Sequence, residues 1–259
     1  MTAKTLLAVM AAAFLAAAQP APAQTPDTAA LMARANTGDT AAMVSLGLAF
    51  YNQARASAPA GDDDDDGDDD APIDPNSPAA KAVFWFRAAA EKGDPAAMFS
   101  LGSAYLDGVG VHKAPAEAIR WLTQAAGKGE TRAMFNLAYL YAGNEGVAKD
   151  AAQSLRWYRA AAEAGEVVGM FTLANKYHDG DGVPKDLREA ARWQRAAADK
   201  GYAYAMLSLG RYYAAGEGVP KSTDEALAWY RKAAAAGSAE AASLVQIQTQ
   251  GRAAQPKGR

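Results

Sequence analysis

Two histidines, a serine–lysine pair, several glycine pairs and one run of aspartates are the residues whose types and spacing could do chemistry. His112 and His178 could act as general bases, a role that needs a partner group within hydrogen-bond reach. Both fall in or beside turns, and both are expected to be solvated turn residues. Ser77 and Lys81 in "SPAAK" could pair a nucleophile with an activating amine. Three residues separate them, however, where that motif has two. The glycines of "GDGV" and "GEGV" could cradle a phosphate. They recur along the chain as a structural turn does, and a lone glycine pair falls short of a phosphate-binding fingerprint. The chain has no cysteine. That excludes disulfides, thiolate metal sites, a cysteine nucleophile and the lipidated cysteine of a bacterial lipoprotein.

The aspartate run is the densest charge in the chain. Eight aspartates, Asp62–Asp66 and Asp68–Asp70, fall within nine residues. Asp62, Asp64, Asp66, Gly67 and Asp68 match the opening of a calcium loop. Its twelfth position is Ile73, where such a loop needs a bidentate Glu. Asp62, Asp64 and Asp66 are therefore weak candidate metal ligands, and no metal or cofactor is expected. The plain reading is a solvated, self-repelling loop. A third reading is electrostatic docking onto a basic surface of this chain or of a partner. Without those eight residues the net charge of −3 becomes +5, so the rest of the chain is mildly basic.

The elements that would position any such residue follow from a repeat. Trp85, Trp121, Trp157, Trp193 and Trp229 stand 36 residues apart, as do Met98, Met134, Met170 and Met206. Repeat starts fall at Gly93, Gly129, Gly165, Gly201 and Gly237, with an earlier one at Gly38. Within a unit, Ala97, Met98, Leu101, Gly102 and Tyr105 form one apolar helical stripe. Ala97 and Gly102 recur as small residues in each unit, which lets a second helix approach closely. A glycine turn follows. Asp150 with Gln153, Asp186 with Glu189, and Ser222 with Glu225 are capping boxes that open a second helix. That helix carries a stripe of Ala118, Trp121, Ala125 and Ala126. One unit cannot bury both stripes, so the units must stack. The fold class is all-α, a right-handed α-solenoid of helix-turn-helix repeats.

The resulting division is a capping helix over 24–37, repeat 1 over 38–92, and repeats over 93–128, 129–164, 165–200 and 201–236. A closing helix over 237–250 and a disordered tail over 251–259 follow. Repeat 1 carries an insertion of 19 residues, at about 52–77, in its glycine turn. Loop length enters closure entropy only logarithmically, so the array tolerates it there. Residues 1–23 read as a signal peptide. Lys4 precedes an apolar stretch from Leu6 to Ala18, and Ala21-Pro22-Ala23 forms a small-x-small cleavage site, with Ala18 as second choice. Thirteen apolar residues are too few to span a bilayer. The mature protein is expected to be periplasmic or secreted, without membrane insertion.

The segments "AMFSLGSAYLDGVGV" and "EAIRWLTQAAGKG", repeated through "AMLSLGRYYAAGEGVPKSTDEALAWYRKAAAAG", resemble the Sel-one-like repeat (SLR) family, relatives of the tetratricopeptide repeats. The resemblance covers Gly38 to about Gly237. It implies that first helices line a concave face where ligands lie. Carried over, the exposed column is Val44, Phe99, Phe135, Phe171 and Leu207. Neighbouring columns include Tyr139, Asn175 and Arg211, and Arg132 and Tyr204. The aromatic column reads either as groove or as core between successive first helices. The partner-binding candidates are Phe99, Phe135, Phe171, Tyr139, Asn175, Tyr204 and Arg211, a mix of anchors and polar groups typical of a peptide groove. The expected function is a monomeric, non-enzymatic exported scaffold for a protein or peptide, not a nucleic acid, with periplasmic regulator or assembly factor as candidate roles. The alternatives are a hydrolase acting on cell-wall peptides and a calcium-responsive binding module. Cysteine-rich SLR proteins linked to penicillin binding have paired cysteines that this chain lacks.

Overall fold

The structure is a computed structural model that describes residues 28–57 and 72–253. The signal-peptide stretch, the aspartate run with Asp62, Asp64 and Asp66, and residues 254–259 lie outside the described residues. All regular structure among the described residues is helical. Helix α1 (Thr28–Asn36) precedes five pairs. These are α2 (Thr40–Ser57) with α3 (Pro78–Glu91), α4 (Pro95–Asp107) with α5 (Pro115–Gly127), α6 (Thr131–Tyr141) with α7 (Ala151–Glu163), α8 (Val167–Asp179) with α9 (Leu187–Asp199), and α10 (Ala203–Ala215) with α11 (Thr223–Ala235). Helix α12 (Ala239–Ala253) closes the array. Each helix packs on its neighbours in the chain. The first helices of the pairs, A, and the second helices, B, thus form the two layers of an α-solenoid.

Local chemistry sets the helix ends. Gly108, Gly180 and Gly216 terminate α4, α8 and α10 at φ of 71°, 79° and 83°, a conformation that penalises any residue with a Cβ. The side chains of Asp150, Asp186 and Ser222 accept from the backbone N–H groups of the first turns of α7, α9 and α11. The expected capping boxes are completed differently. The cap N–H of Asp150, Asp186 and Ser222 donates to the carbonyl of Tyr141, Tyr177 and Tyr213, and Ala114 does the same to Tyr105. That N–H is already satisfied, so Glu189 turns outward and pairs with Arg192 at 2.7 Å.

Two boundaries differ from the sequence reading. Helix α2 has 18 residues where α4 has 13. It runs on through "NQARAS", which holds good helix formers and no glycine to stop it. The helix thus takes up the first residues of the expected insertion, as far as Ser57. Helix α12 continues to Ala253, three residues past its expected end and into the stretch read as tail.

Size complementarity holds each pair together. Gly47 and Gly210 in A helices face Phe86 and Tyr230 in B helices. A Cβ on Gly47 would lie 2.4 Å from Phe86 Cε1, and one on Gly210 would lie 2.5 Å from Tyr230 Cδ1. Where the A helix has Ala174 at this level, the B helix places Gln194, fully buried. Gly47→Ala is expected to destabilise by about 1–3 kcal/mol, because a rigid ring must move. Gly127→Ala, at a helical glycine with open space around it, is expected to stabilise by up to about 1 kcal/mol. Chemical denaturation of both variants checks the pair.

Four of the five tryptophans are buried, at 4–9 % exposure, but Trp157 is only partly buried. Arginines lie over the faces of Trp121 (4.7 Å), Trp157 (5.4 Å) and Trp193 (4.4 Å). Arg87 and Arg159 of B helices reach the hydroxyls of Tyr105 and Tyr177 in the next A helix, at 2.7 and 3.0 Å. Arg195 bonds Tyr213 in the same way. These contacts tie one repeat to the next.

Candidate functional site

Three successive A helices, α2, α4 and α6, line a groove that encloses a cavity of about 180 Å³. Its floor is apolar. Leu48 comes from α2, Phe99 from α4, and Phe135 and Tyr139 from α6. The 36-residue step brings equivalent positions to the same face, which is why aromatic and aliphatic side chains of three repeats meet here. Arg132 lies over the Phe99 ring at 4.4 Å. Glu130 holds that guanidinium by two hydrogen bonds, of 2.8 and 2.9 Å. Burial and the Glu130 bonds act in opposite directions on Arg132, and the bonds dominate, holding it firmly charged.

Carboxylates stand at both ends. Asp107, the last residue of α4, exposes much of its own surface yet is crowded by neighbouring groups. Burial by those groups, reinforced by the charge of Glu145 and opposed by Lys113, pushes its carboxyl up to about 6. Burial, aided by the Asp107 charge, raises the phenol of Tyr51, and burial with Glu145 raises that of Tyr139. Glu145 is the one non-glycine among the described residues with positive φ, at 52°. At the opposite end, Glu166 caps α8 and is 5 % exposed. One of its oxygens, Oε2, accepts from the Gly169 N–H. The other, Oε1, is buried with no hydrogen-bond partner. Burial raises the Glu166 carboxyl, against the pull of three backbone N–H groups.

The Asp107 shift has a sign that can be checked. Unfolded, the carboxyl loses its proton near 4; folded, it keeps that proton until about 6. The folded chain holds the extra proton between those values, so Asp107 makes stability fall as pH rises from about 4 to 6. Asp107→Asn removes this contribution. The variant's melting temperature relative to the parent is expected to rise across that window and level off above it.

The sequence candidates do not all meet. Phe99, Phe135 and Tyr139 line the groove. Phe135 is 9 % exposed and stacks edge-on against Tyr158 at 5.7 Å, so most of its surface is core. Phe171 lies outside the lining, against Tyr202 at 5.3 Å. Asn175 accepts from the buried Gln194 amide at 3.0 Å. Arg211 pairs with Glu240 of α12. Tyr204 is 61 % exposed, beside Tyr202. The sequence reading did not single out Tyr51, Asp107 or Glu166. The recurring acid at the start of A helices (Asp39, Asp94, Glu130, Glu166) marks Glu166 as a cap, but nothing in that pattern shows it facing a groove.

The residues considered for chemistry have structural places. Ser77 caps α3, accepting from Ala80 N–H at 3.1 Å, and Lys81 lies over Phe50. His178 is not a solvated turn residue: it sits half-buried in the last turn of α8, stacked on Tyr212 between Asp179 and Glu217. Among the described residues no group of three or more potential ligands could hold a metal ion. No helix among them is long and apolar enough to cross a membrane.

Helix pairs stacked in register at a 36-residue step, with a lined A face, define a repeat α-solenoid. The Sel1 repeat pattern matches residues 67–94, 95–130, 131–166, 167–202 and 203–238, and the chain belongs to the Sel1 repeat family. Its first match spans only the second helix of repeat 1, since the insertion separates that helix from α2. Among solved structures, the chain is similar to a protective antigen present in uropathogenic Escherichia coli strains that displays an SLR fold. The two are 30 % identical with a TM-score of 0.71, over 85 % of this chain and 43 % of the other. It is also similar to a Sel1 repeat protein from Oxalobacter formigenes, with 36 % identity and a TM-score of 0.62, over 66 % of this chain and 49 % of the other. The chain thus spans less than half the length of either. No curated protein matches it. Sel1 repeats generally mediate protein–protein interaction on a non-catalytic scaffold.

Proposed function

We propose that this protein is an exported, non-enzymatic scaffold that holds a protein or peptide partner in the groove of α2, α4 and α6. The observation that carries this reading is the groove itself: an apolar floor with aromatic anchors from three repeats and polar groups at its ends, the composition of a recognition site. Export, to the periplasm or beyond, rests on the signal-peptide pattern of residues 1–23, and a regulatory or assembly role is compatible with it. A hydrolase reading gains no support, because the Ser77 hydroxyl serves as a helix cap. Purification from an exporting host, followed by mass spectrometry, tests both parts. The mature chain is expected to start near Gln24. A partner is expected to co-purify with the parent and to be lost from the Phe99→Ala/Tyr139→Ala variant. A retained Met1 contradicts export, and a partner retained by the variant contradicts the groove.

A further inference from the structure

The charge of the groove identifies what it takes. The one cation among its lining residues is Arg132, and Glu130 already holds it in two hydrogen bonds. Its carboxylates have no such partner. Asp107 is crowded by burial, and Glu145, just outside the lining, adds a like charge that Lys113 opposes. Glu145 reaches that position through a left-handed backbone that a non-glycine residue adopts at a cost of about 1 kcal/mol or more. Strained residues of this kind cluster at ligand clamps, so the outlier points to function. At the far end Glu166 is 95 % buried with Oε1 unpaired. Glu130, its equivalent one repeat earlier, has Arg132 two residues on, whereas Glu166 has Val168 there. A buried carboxyl oxygen with no hydrogen-bond partner is costly until a donor or counter-charge arrives. Between these ends the floor is aromatic and aliphatic.

Resting on the groove reading above, we infer that the occupant is a segment of a partner protein whose apolar side chains seat on Phe99 and Tyr139 and whose flanking lysines or arginines face Asp107 with Glu145 at one end and Glu166 at the other. An acidic segment meets repulsion at both ends. A neutral one leaves the carboxylates at both ends uncompensated.

The test is selection of a random peptide display library on the purified mature chain, with the Phe99→Ala/Tyr139→Ala variant as counter-selection. The expected result is enrichment of peptides with aliphatic or aromatic residues flanked by Lys or Arg. The best of these, synthesised, is expected to bind at least tenfold more weakly to Asp107→Asn and to Glu166→Gln, with Glu163→Gln, on the B-helix layer, unchanged. Enrichment of acidic or uncharged peptides that still need Phe99 and Tyr139 overturns the charge inference and leaves the groove reading standing. Peptides that bind the counter-selected variant equally well, or no enrichment at all, overturn both. Circular dichroism of each variant confirms that a lost affinity is not a lost fold.

Discussion

Trp229→Ala is expected to cost about 3–5 kcal/mol of stability, the range for removing a large buried aromatic and leaving a cavity. Trp229 is 4 % exposed and packs in one cluster with Trp193, Met170, Leu173 and Leu209, which come from two repeats. Lys232 lies over its ring at 3.8 Å, so the substitution also removes a cation–π contact. In a stacked array each repeat is stabilised chiefly by its neighbours, and the loss is expected to spread into α9 and α10. Trp157→Ala is the internal comparison. It occupies the same register, but its ring is only partly buried, and its loss should be the smaller of the two in denaturant titration. Equal losses, or a Trp229→Ala effect below about 1 kcal/mol, would contradict this packing.

The second large effect is on binding. Phe99→Ala together with Tyr139→Ala is expected to weaken partner affinity by about 2 kcal/mol or more, roughly thirtyfold, as truncation of interface anchors does. Both rings are half-buried in the groove, so enough surface remains for a partner to cover. Phe135 is the poorer choice although it lies in the same column. Its ring is packed on Tyr158, and truncating it would lower stability along with affinity. The double variant is expected to retain its helical circular dichroism and most of its melting temperature. Lost binding accompanied by a collapse in melting temperature would place Phe99 and Tyr139 in the core instead.

The framework of the fold is legible in the sequence because the repeat prints it five times. The 36-residue step gives the register. The glycines that must adopt positive φ give the turns, and Asp150, Asp186 and Ser222 give the starts of second helices. Small residues such as Gly47 and Gly210 announce close helix approach, and the bulk that fills the space stands on the facing helix as Phe86 and Tyr230. What the period does not carry is anything that departs from it. Gly143 stands one residue earlier than its equivalents, so α6 ends sooner and Glu145 takes a left-handed conformation beside Asp107. Helix α2 runs past the turn because nothing in its sequence stops it. Trp157 is less covered than its four equivalents, and nothing in the pattern distinguishes it.

The site is legible to a lesser degree. Columns of equivalent positions bring Phe99, Phe135 and Tyr139 together, since identical register means an identical face. They give no account of where the groove stops. Phe171 and Asn175 continue the same columns, yet Tyr202 and Gln194 engage them. Glu166 reads as one more helix cap, and only the fold shows that it has no cation of its own. Pairing across repeats depends on side chains outside the columns, and the period does not constrain those.

The most direct test of the central claim places a photo-crosslinking amino acid at one position at a time and illuminates the protein in its exporting host. Position 139, in the groove, and position 120, on the opposite layer, are the informative pair. Tyr139 lines the groove and Arg120 is exposed on α5. The account predicts a discrete adduct with a partner protein from position 139 and none from position 120. An adduct from position 120 alone would put the partner on the B-helix layer and contradict it.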